Sequence, residues 1–185
     1  NAGASGSSVD EAASLVVGVS PEMRDLRGTI RQVAKSSLNC LIRGESGVGK
    51  DVVAREIHRL SERNGKPFVK VNCSALPDHL LESELFGHEK GAFTGATTSK
   101  PGRFTLADQG IIFLDEICEI SPALQAKLLQ VIEHKEFTKL GGVKSTHVDV
   151  QIVSATNADI EAQLEDKQFR EDLFFRLNEV CVRIP

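Results

Sequence analysis

The sequence predicts an α/β fold in which a parallel five-stranded sheet is sandwiched between helices. Three observations support this prediction. Apolar runs of strand length alternate with stretches of helical periodicity, a glycine-rich turn joins the first run to the first such stretch, and the chain is long enough for one substantial core. Strands that alternate with helices require crossover connections, which produce a mainly parallel sheet covered on both faces.

The predicted elements follow one another along the chain in a regular order. Apolar residues recur at helical spacing within residues 51–61 and 122–134, and residues 80–87 predict a helix that opens an insertion. The Gly141-Gly142 pair lies between two strand-like runs and predicts a β-hairpin inserted before the fourth core strand. Five runs have the length and apolar composition of core strands: 38–44, 67–73, 111–116, 148–156 and 179–185.

The domain organisation follows from composition. Residues 15–185 are expected to form one domain, whereas residues 1–14 are rich in small and polar side chains and are expected to be a disordered leader or an expression remnant. The formal net charge of −4 argues against an extended basic surface. We therefore expect contact with DNA only through a domain outside this chain.

Cysteine usage and hydropathy indicate the compartment. Cys40, Cys73, Cys118 and Cys181 form no C-x-x-C pair, which is typical of reduced thiols in a cytoplasmic protein. The five histidines show no paired metal-ligand spacing. No apolar run approaches the roughly 18 residues of a membrane helix, and these residues show no signal-peptide pattern. We predict a cytoplasmic protein with no membrane contact.

A glycine-rich loop follows the first predicted strand and precedes the first predicted helix. Backbone N–H groups of such a loop, with the positive end of the helix, can wrap phosphates, and Lys50 adds a point charge. A turn without a ligand is the alternative, which the strand–loop–helix context disfavours. Asp51 stands where a hydroxyl usually touches Mg²⁺, so it could hold the metal only through water. The predicted phosphate contacts are Gly44, Glu45, Ser46, Gly47, Val48, Gly49, Lys50 and Asp51.

An acidic pair closes the third predicted strand. Asp115 is suited to orient Mg²⁺ through water, and Glu116 is suited to polarise an attacking water as a general base. A solvated acidic turn is the alternative. Asn72 and Asn157 follow two other strands, where each could sense the nucleotide or simply cap a turn.

The motifs together resemble a known family. In this order, GESGVGKD, ELFGHEKGAFTGA, ADQGIIFLDE, SATNADI and FREDLFFRLN are similar to the central ATPase domain of the bacterial enhancer-binding proteins, the AAA+ activators of sigma-54 RNA polymerase. The resemblance covers residues 16–185, and GAFTGA is its most specific element. It implies a P-loop NTPase of AAA+ type that uses ATP and Mg²⁺. It also implies that the helical lid that follows this segment in the family is absent here.

The resemblance assigns further nucleotide contacts and catalytic residues. It implies that Asn72 holds Glu116 inactive until the nucleotide is sensed, and that Arg170 and Arg176 reach into the site of a neighbouring subunit. Surface ion pairs with the adjacent Glu171 and Asp172 are the alternative for these arginines. The remaining implied nucleotide contacts are Val17, Gly18, Ala107, Asp108, Gln109, Gly110, Thr156 and Asn157.

The resemblance also implies a partner and an activity. The expected protein is a Mg-dependent ATPase that assembles into a ring of six or seven subunits and remodels sigma-54 RNA polymerase holoenzyme to promote transcription. A remodelling ATPase with another client and a nucleotide-gated scaffold without turnover are the alternatives. Without the lid, we expect weak hydrolysis and poor ring formation. The implied partner-binding residues are Gly91, Ala92, Phe93, Thr94, Gly95 and Ala96.

Overall fold

The computed structural model describes residues 14–185. The predicted leader lies outside these residues except for Ser14, whose hydroxyl donates a hydrogen bond to Glu56 and so joins the fold. The strands are β1 (Cys40–Arg43), β2 (Phe68–Asn72), β3 (Gly87–His88), β4 (Lys100–Pro101), β5 (Ile111–Asp115), β6 (Glu136–Thr138), β7 (Ser145–His147), β8 (Gln151–Thr156) and β9 (Val180–Arg183). The helices are α1 (Pro21–Ser36), α2 (Lys50–Leu60), α3 (Asp78–Phe86), α4 (Arg103–Leu106), α5 (Pro122–His134), α6 (Ile160–Glu165) and α7 (Glu171–Leu177), and a 3₁₀ turn spans Ile117–Glu119.

The main sheet within residues 14–185 has five strands in the order β2-β5-β8-β1-β9, and all of its strand pairs are parallel. The predicted α/β class and parallel sheet are confirmed. Because every connection within the sheet is a crossover, the carboxyl ends of all five strands meet at one edge. That edge carries the residues that follow β1, β2, β5 and β8.

Apolar side chains cover both faces of the sheet. On one face, α1 and α2 pack over Ile42 and Phe113; on the other, α3, α5 and α7 pack over Leu41 and Leu114. Successive strand residues point to opposite faces, so burial of both faces explains why the strands read as continuous apolar runs. Full burial of a side chain such as Phe113 contributes about 1.5–3 kcal/mol.

Helix α1 is an element that the sequence interpretation did not include. Its first turn is capped by the Ser20 hydroxyl, which accepts a hydrogen bond from the Met23 amide, and Pro21 occupies the first helical position. A narrow apolar stripe that includes Ile30 and Val33 packs on α2 and the sheet. The helix ends at Ser36, and the following residue, Ser37, is left-handed with a φ of 53°.

Two insertions leave the α/β framework and contact each other. The predicted hairpin is confirmed as β6 paired with β7, with Gly141 at a φ of 69°. The predicted helical insertion consists of α3, the short pair β3–β4 and the loop 89–99 between these strands. Glu89 donates its amide hydrogen to the Leu140 carbonyl, and a Cβ on Gly141 would lie 2.8 Å from the Ala92 Cβ. The hairpin tip therefore supports the loop.

None of the helices in residues 14–185 is both long and apolar enough to cross a membrane.

Candidate nucleotide-binding site

The phosphate loop, residues 44–49, connects β1 to α2 at the carboxyl edge of the sheet. Gly47 and Gly49 have φ values of 81° and 94°, a left-handed conformation in which a side chain would be strained. The Gly44 amide is held by the Thr156 carbonyl. No side chain caps the first turn of α2 among the described residues, so its N–H groups remain available to an anion.

Lys50 is held over this loop. Its ammonium donates to the carbonyl oxygens of Gly44 at 3.1 Å and Glu45 at 2.9 Å, and lies 3.7 Å from Oε1 of Glu116. The side chain is 7% exposed, so these oxygens replace much of the water that the charge has lost. The predicted phosphate-binding cation is thus buried and preorganised at the loop.

The acidic strand end turns towards this cation. Asp115 is the last residue of β5, and Glu116 follows in the left-handed conformation at φ 54° and ψ 52°. A non-glycine residue in that region is strained by about 1–3 kcal/mol, and such strain is typical of functional positions. The turn brings the Glu116 carboxylate between Lys50 and the Asn157 amide, which donates to Oε2 at 3.3 Å.

Asp115 and Asp51 are the two carboxylates beside the phosphate loop that could hold a magnesium ion. Oδ1 of Asp115 is buried and has no hydrogen-bond partner in residues 14–185. Oδ2 of Asp115 and Oδ2 of Asp51 lie 3.5 Å and 3.9 Å from the same ammonium, that of Lys70. The described residues contain no cluster of three or more metal-ligating side chains. One or two carboxylates beside a phosphate site suit Mg²⁺, which keeps several waters and uses phosphate oxygens as ligands.

Asn72 and Thr156 make local contacts at the ends of their strands. The Asn72 side-chain oxygen accepts from the amide of Ser74 at 3.0 Å and from its hydroxyl at 2.8 Å, which is the turn-capping alternative. Register places Asn72 opposite Asp115, but the described contacts include none between Asn72 and Glu116. The Thr156 hydroxyl accepts from the Ala158 amide. The sensing roles of both residues stay predictions.

A thiol lies beside the acidic pair. Cys73 follows β2 and is buried, and its amide donates to the Asp115 carbonyl. Burial, and then the negative charges of Asp115 and Glu116, raise the pKa of the Cys73 thiol to about 12. The group therefore remains a protonated apolar side chain at neutral pH and offers no nucleophile to the site.

An apolar cleft of about 170 Å³ adjoins the phosphate loop. Val17, which the resemblance assigned to the adenine, lines it, and Gly18 lines an adjoining recess. Sequence reasoning missed Ile184 because the pairing of β9 with β1 brings it to the loop. It also missed Met23, in the first turn of α1, and Val52, in the first turn of α2. The lining residues of the cleft are Leu15, Val16, Val17, Met23, Leu26, Val48, Gly49, Val52, Val53 and Ile184.

The structure corrects one group of predicted nucleotide contacts. The segment 107–110 precedes β5, so it lies at the edge of the sheet opposite the phosphate loop. The Gln109 amide donates to the Asp149 carbonyl, and Asp108 accepts from the Asp149 amide. Five strand residues at about 3.3 Å each separate the two edges by roughly 16 Å. The residues that the structure removes from the site are Ala107, Asp108, Gln109 and Gly110.

Arg170 and Arg176 lie at the two ends of α7, which packs on the sheet face opposite to the face that α2 covers. Arg170 precedes α7 rather than lying within it, and pairs bidentately with Asp172. Arg176 lies in the last turn of α7 and pairs with Glu133 at 3.4 Å, not with Glu171 or Asp172. Both side chains are about half exposed. The described chain therefore does not bring them to its own phosphate loop.

The predicted partner loop, residues 91–96, is a compact turn. The Gly91 amide donates to the Ala96 carbonyl at 2.8 Å, and the Ala96 amide donates to the Phe93 carbonyl at 3.0 Å. Phe93 is 38% exposed, and its ring meets the His88 ring edge-on at 5.0 Å between centroids. The phenylalanine is thus supported from one side and open on the other.

A strand, a phosphate loop, a helix and an acidic end on a parallel strand that β8 separates from the first define a P-loop NTPase fold. Residues 16–183 match the family model described as the Sigma-54 interaction domain, and the chain belongs to that family. The family and the fold predicted from the sequence are confirmed.

Relatives and solved structures agree with this assignment. The chain is 55% identical over 171 residues to the Nif-specific regulatory protein of Azotobacter vinelandii, which covers 92% of this chain and 33% of that protein. It is 55% identical over 170 residues to the protein of that name from Herbaspirillum seropedicae, covering 92% and 31%. Crystalline NtrX from Brucella abortus in complex with ATP has a TM-score of 0.86 at 39% identity, covering 96% and 38%. The chain thus spans about one third of the length of these relatives.

Proposed function

We propose that this chain is the ATP-hydrolysing module of a cytoplasmic activator of sigma-54 RNA polymerase and that it works as a ring. The observation that carries the proposal is the convergence of Lys50, Glu116 and Asp115 at the phosphate loop. Membership of the Sigma-54 interaction domain family supports sigma-54 RNA polymerase as the client. Contact with DNA would require a domain outside this chain, because the net charge is −4.

The loop geometry supports nucleotide binding. The β- and γ-phosphates would lie against the N–H groups at the start of α2, and the Lys50 ammonium would exchange its carbonyl partners for phosphate oxygens. The base would occupy the cleft that Val17 and Ile184 line. Bound Mg²⁺ would neutralise charge on the phosphates, with Asp115 and Asp51, each through water, as its protein partners.

Glu116 would act as the general base. Its carboxylate is already fixed beside Lys50 and the end of β8, so a water on the γ-phosphate would lie within its reach. The Asn157 amide contacts the same carboxylate, so a shift of Glu116 on loss of the γ-phosphate would change the contact at the end of β8. Asn72 would provide a second contact of this kind after a change of its side-chain rotamer.

Arg170 and Arg176 would act on a neighbouring subunit. Both are exposed, and each is held by an acidic partner that a phosphate could replace. An arginine supplied in trans contributes about 10³–10⁵ in rate, or roughly 4–7 kcal/mol of barrier. We therefore expect phosphate release per subunit to rise with protein concentration as a ring of six or seven subunits assembles.

The insertion would carry the motion to the client. Glu84 of α3 pairs with Lys100 and Arg103, both at 2.9 Å, which ties the two arms of the loop together. Lys127 of α5 pairs with Glu82 at 3.0 Å and joins α3 to the framework. A movement of α3 between two positions would thus raise and lower the loop 89–99 as one unit. At its tip, Phe93 would offer an apolar anchor and Thr94 a hydroxyl.

The test combines phosphate release with capture of sigma-54. Wild-type protein with ADP and a metal-fluoride transition-state mimic is expected to retain purified sigma-54, whereas Phe93→Ala and Thr94→Ala are expected to lose it while binding nucleotide normally. Thr98→Ala, exposed in the same loop, is the matched control and should retain sigma-54. Loss of nucleotide binding in both loop variants would instead assign the loop a structural role.

Two other results would redirect the proposal. Phosphate release without capture of sigma-54 would indicate a remodelling ATPase with another client. Nucleotide-dependent assembly without phosphate release, even at high protein concentration, would indicate a scaffold. The carboxylate of Glu116, held by Lys50 and Asn157, favours turnover over the scaffold.

A further inference from the structure

Lys70 brings a second cation to the acidic end of the site. It lies in the middle of β2, at the edge of the sheet, and its side chain runs along the Phe113 ring with Nζ 5.6 Å from the ring centroid. The ammonium ends 3.5 Å from Oδ2 of Asp115 and 3.9 Å from Oδ2 of Asp51. It thereby links two carboxylates that belong to different elements.

Strand register explains how Lys70 reaches this position. Lys70 lies opposite Phe113, and Asn72 lies opposite Asp115, so Lys70 and Asp115 project from the same sheet face on neighbouring strands. That face is the one covered by α2, whose first turn carries Asp51. The three charged groups therefore meet because of the parallel pairing of β2 with β5.

The contacts of Lys70 are those of a displaceable cation. Both distances exceed those of a charge-assisted hydrogen bond, and the side chain is 37% exposed. By contrast, Lys50 makes a 2.9 Å hydrogen bond and is 7% exposed. Lys70 therefore neutralises the two carboxylates loosely and can swing into water along its flexible stem.

A divalent cation would compete with this ammonium. The same Asp115 carboxylate has its Oδ1 atom buried and unbonded among residues 14–185, while its Oδ2 atom faces Lys70. A metal ion bound there would lie within a few ångströms of a like charge, which disfavours simultaneous occupancy. Metal binding and the Lys70 contact are therefore opposed.

We propose that Lys70 is a tethered cation that holds Asp51 and Asp115 in the metal-free state and is displaced when Mg²⁺ enters with the nucleotide. Lys70 thus raises the Mg²⁺ concentration that the site needs to fill. The proposal rests on the proposed function for the role of Mg²⁺ with ATP. The position of the ammonium between the two carboxylates is independent of that function.

The first test is a Mg²⁺ titration of the full chain with a fluorescent ADP analogue. Lys70→Met is expected to lower the half-saturating Mg²⁺ concentration about 3- to 10-fold, the effect of removing about 0.6–1.4 kcal/mol of like-charge repulsion. Lys70→Arg should stay close to wild type. Lys144→Met, which removes an exposed charge from the hairpin, is the control for net charge. An unchanged or higher Mg²⁺ requirement in Lys70→Met would overturn the proposal.

Two further measurements separate Lys70 from other roles. In EDTA, the analogue should bind wild type and Lys70→Met equally, and a clear loss in the variant would show that Lys70 contacts phosphate instead. Without any nucleotide, millimolar Mg²⁺ should raise the melting temperature of Lys70→Met more than that of wild type; equal shifts would also overturn the proposal. If wild type binds no nucleotide, the proposed function fails while this melting comparison still decides the role of Lys70.

Discussion

The Lys50 ammonium lies 3.7 Å from the Glu116 carboxylate, so the phosphate-binding cation and the acid that follows β5 form an ion pair across the site. An incoming γ-phosphate would compete with Glu116 for this ammonium. Nucleotide binding would therefore free the carboxylate at the moment when a water has to be polarised. The pair couples occupancy of the loop to the availability of the base.

Glu116→Gln is expected to separate binding from turnover. The amide cannot accept a proton but has nearly the same shape, so we expect nucleotide affinity to be retained and phosphate release to fall about 10²- to 10⁴-fold. Phosphate release and nucleotide binding measured on the same preparation check this. Glu119→Gln, exposed in the adjacent 3₁₀ turn, should turn over normally. Undiminished release by Glu116→Gln would remove the carboxylate from the chemistry.

The buried thiols predict a loss of stability at high pH. Burial raises the pKa of both Cys40 and Cys73 from 9.0 to about 12. Unfolded thiols ionise from about pH 9 while the folded ones stay protonated, so the free energy of unfolding is undiminished below pH 9 and falls between pH 9 and 12. The slope is about 1.4 kcal/mol per pH unit for each thiol.

Urea unfolding under reducing conditions from pH 8 to pH 10.5 measures this slope. Cys73→Ala should unfold more easily at every pH but show a shallower dependence on pH than wild type. The chain contains no tyrosine, so phenol ionisation cannot mimic the effect. Equal slopes in the two proteins would show that Cys73 ionises freely in the folded state.

Gln125 anchors the segment that carries Arg170. Its side chain is buried on α5, accepts a hydrogen bond from the Arg170 amide at 2.8 Å, and donates to the carbonyl oxygens of Ile120 and Gln168. Gln125→Leu would leave these backbone groups unpaired, so we expect the free energy of unfolding, measured in urea, to fall by about 2–4 kcal/mol. Gln130→Leu, exposed on the same helix, should change stability by less than about 0.5 kcal/mol.

Much of the framework was predictable because it is encoded locally. The strand predicted at 111–116 is observed as Ile111–Asp115, and the helix predicted at 122–134 is Pro122–His134, started by the Ser121 cap. Helix α1 was missed because its apolar stripe is narrow within a polar sequence. The Ser20 cap and Pro21 are local signals of its start that the sequence interpretation did not use.

The site was predictable only where one short motif contains it. Residues 44–51 were recognised because strand, loop and helix follow one another in the sequence, and the Asp115-Glu116 pair was recognised because it closes an apolar strand. Lys70 and Ile184 were missed because they reach the site through the pairing of β2 with β5 and of β9 with β1. The segment 107–110 was wrongly included because its motif runs the full length of β5 and so joins opposite edges of the sheet.

Gly110 is therefore expected to be a packing residue. A Cβ there would lie 2.0 Å from the Pro67 carbonyl oxygen, which accepts the Ile111 amide at the start of β5. Relief of that clash would shift backbone and weaken the hydrogen bond, so Gly110→Ala should destabilise the protein by about 2–4 kcal/mol in urea unfolding.

Gly28→Ala supplies the matched control, because a Cβ at Gly28 in α1 would meet nothing within 4 Å. This variant should stabilise the protein by about 0.5–1 kcal/mol through helix propensity. At a temperature where Gly110→Ala remains folded, its nucleotide affinity should equal that of wild type, because Gly110 lies at the far edge of the sheet. A loss of affinity without a loss of stability would return Gly110 to the nucleotide site.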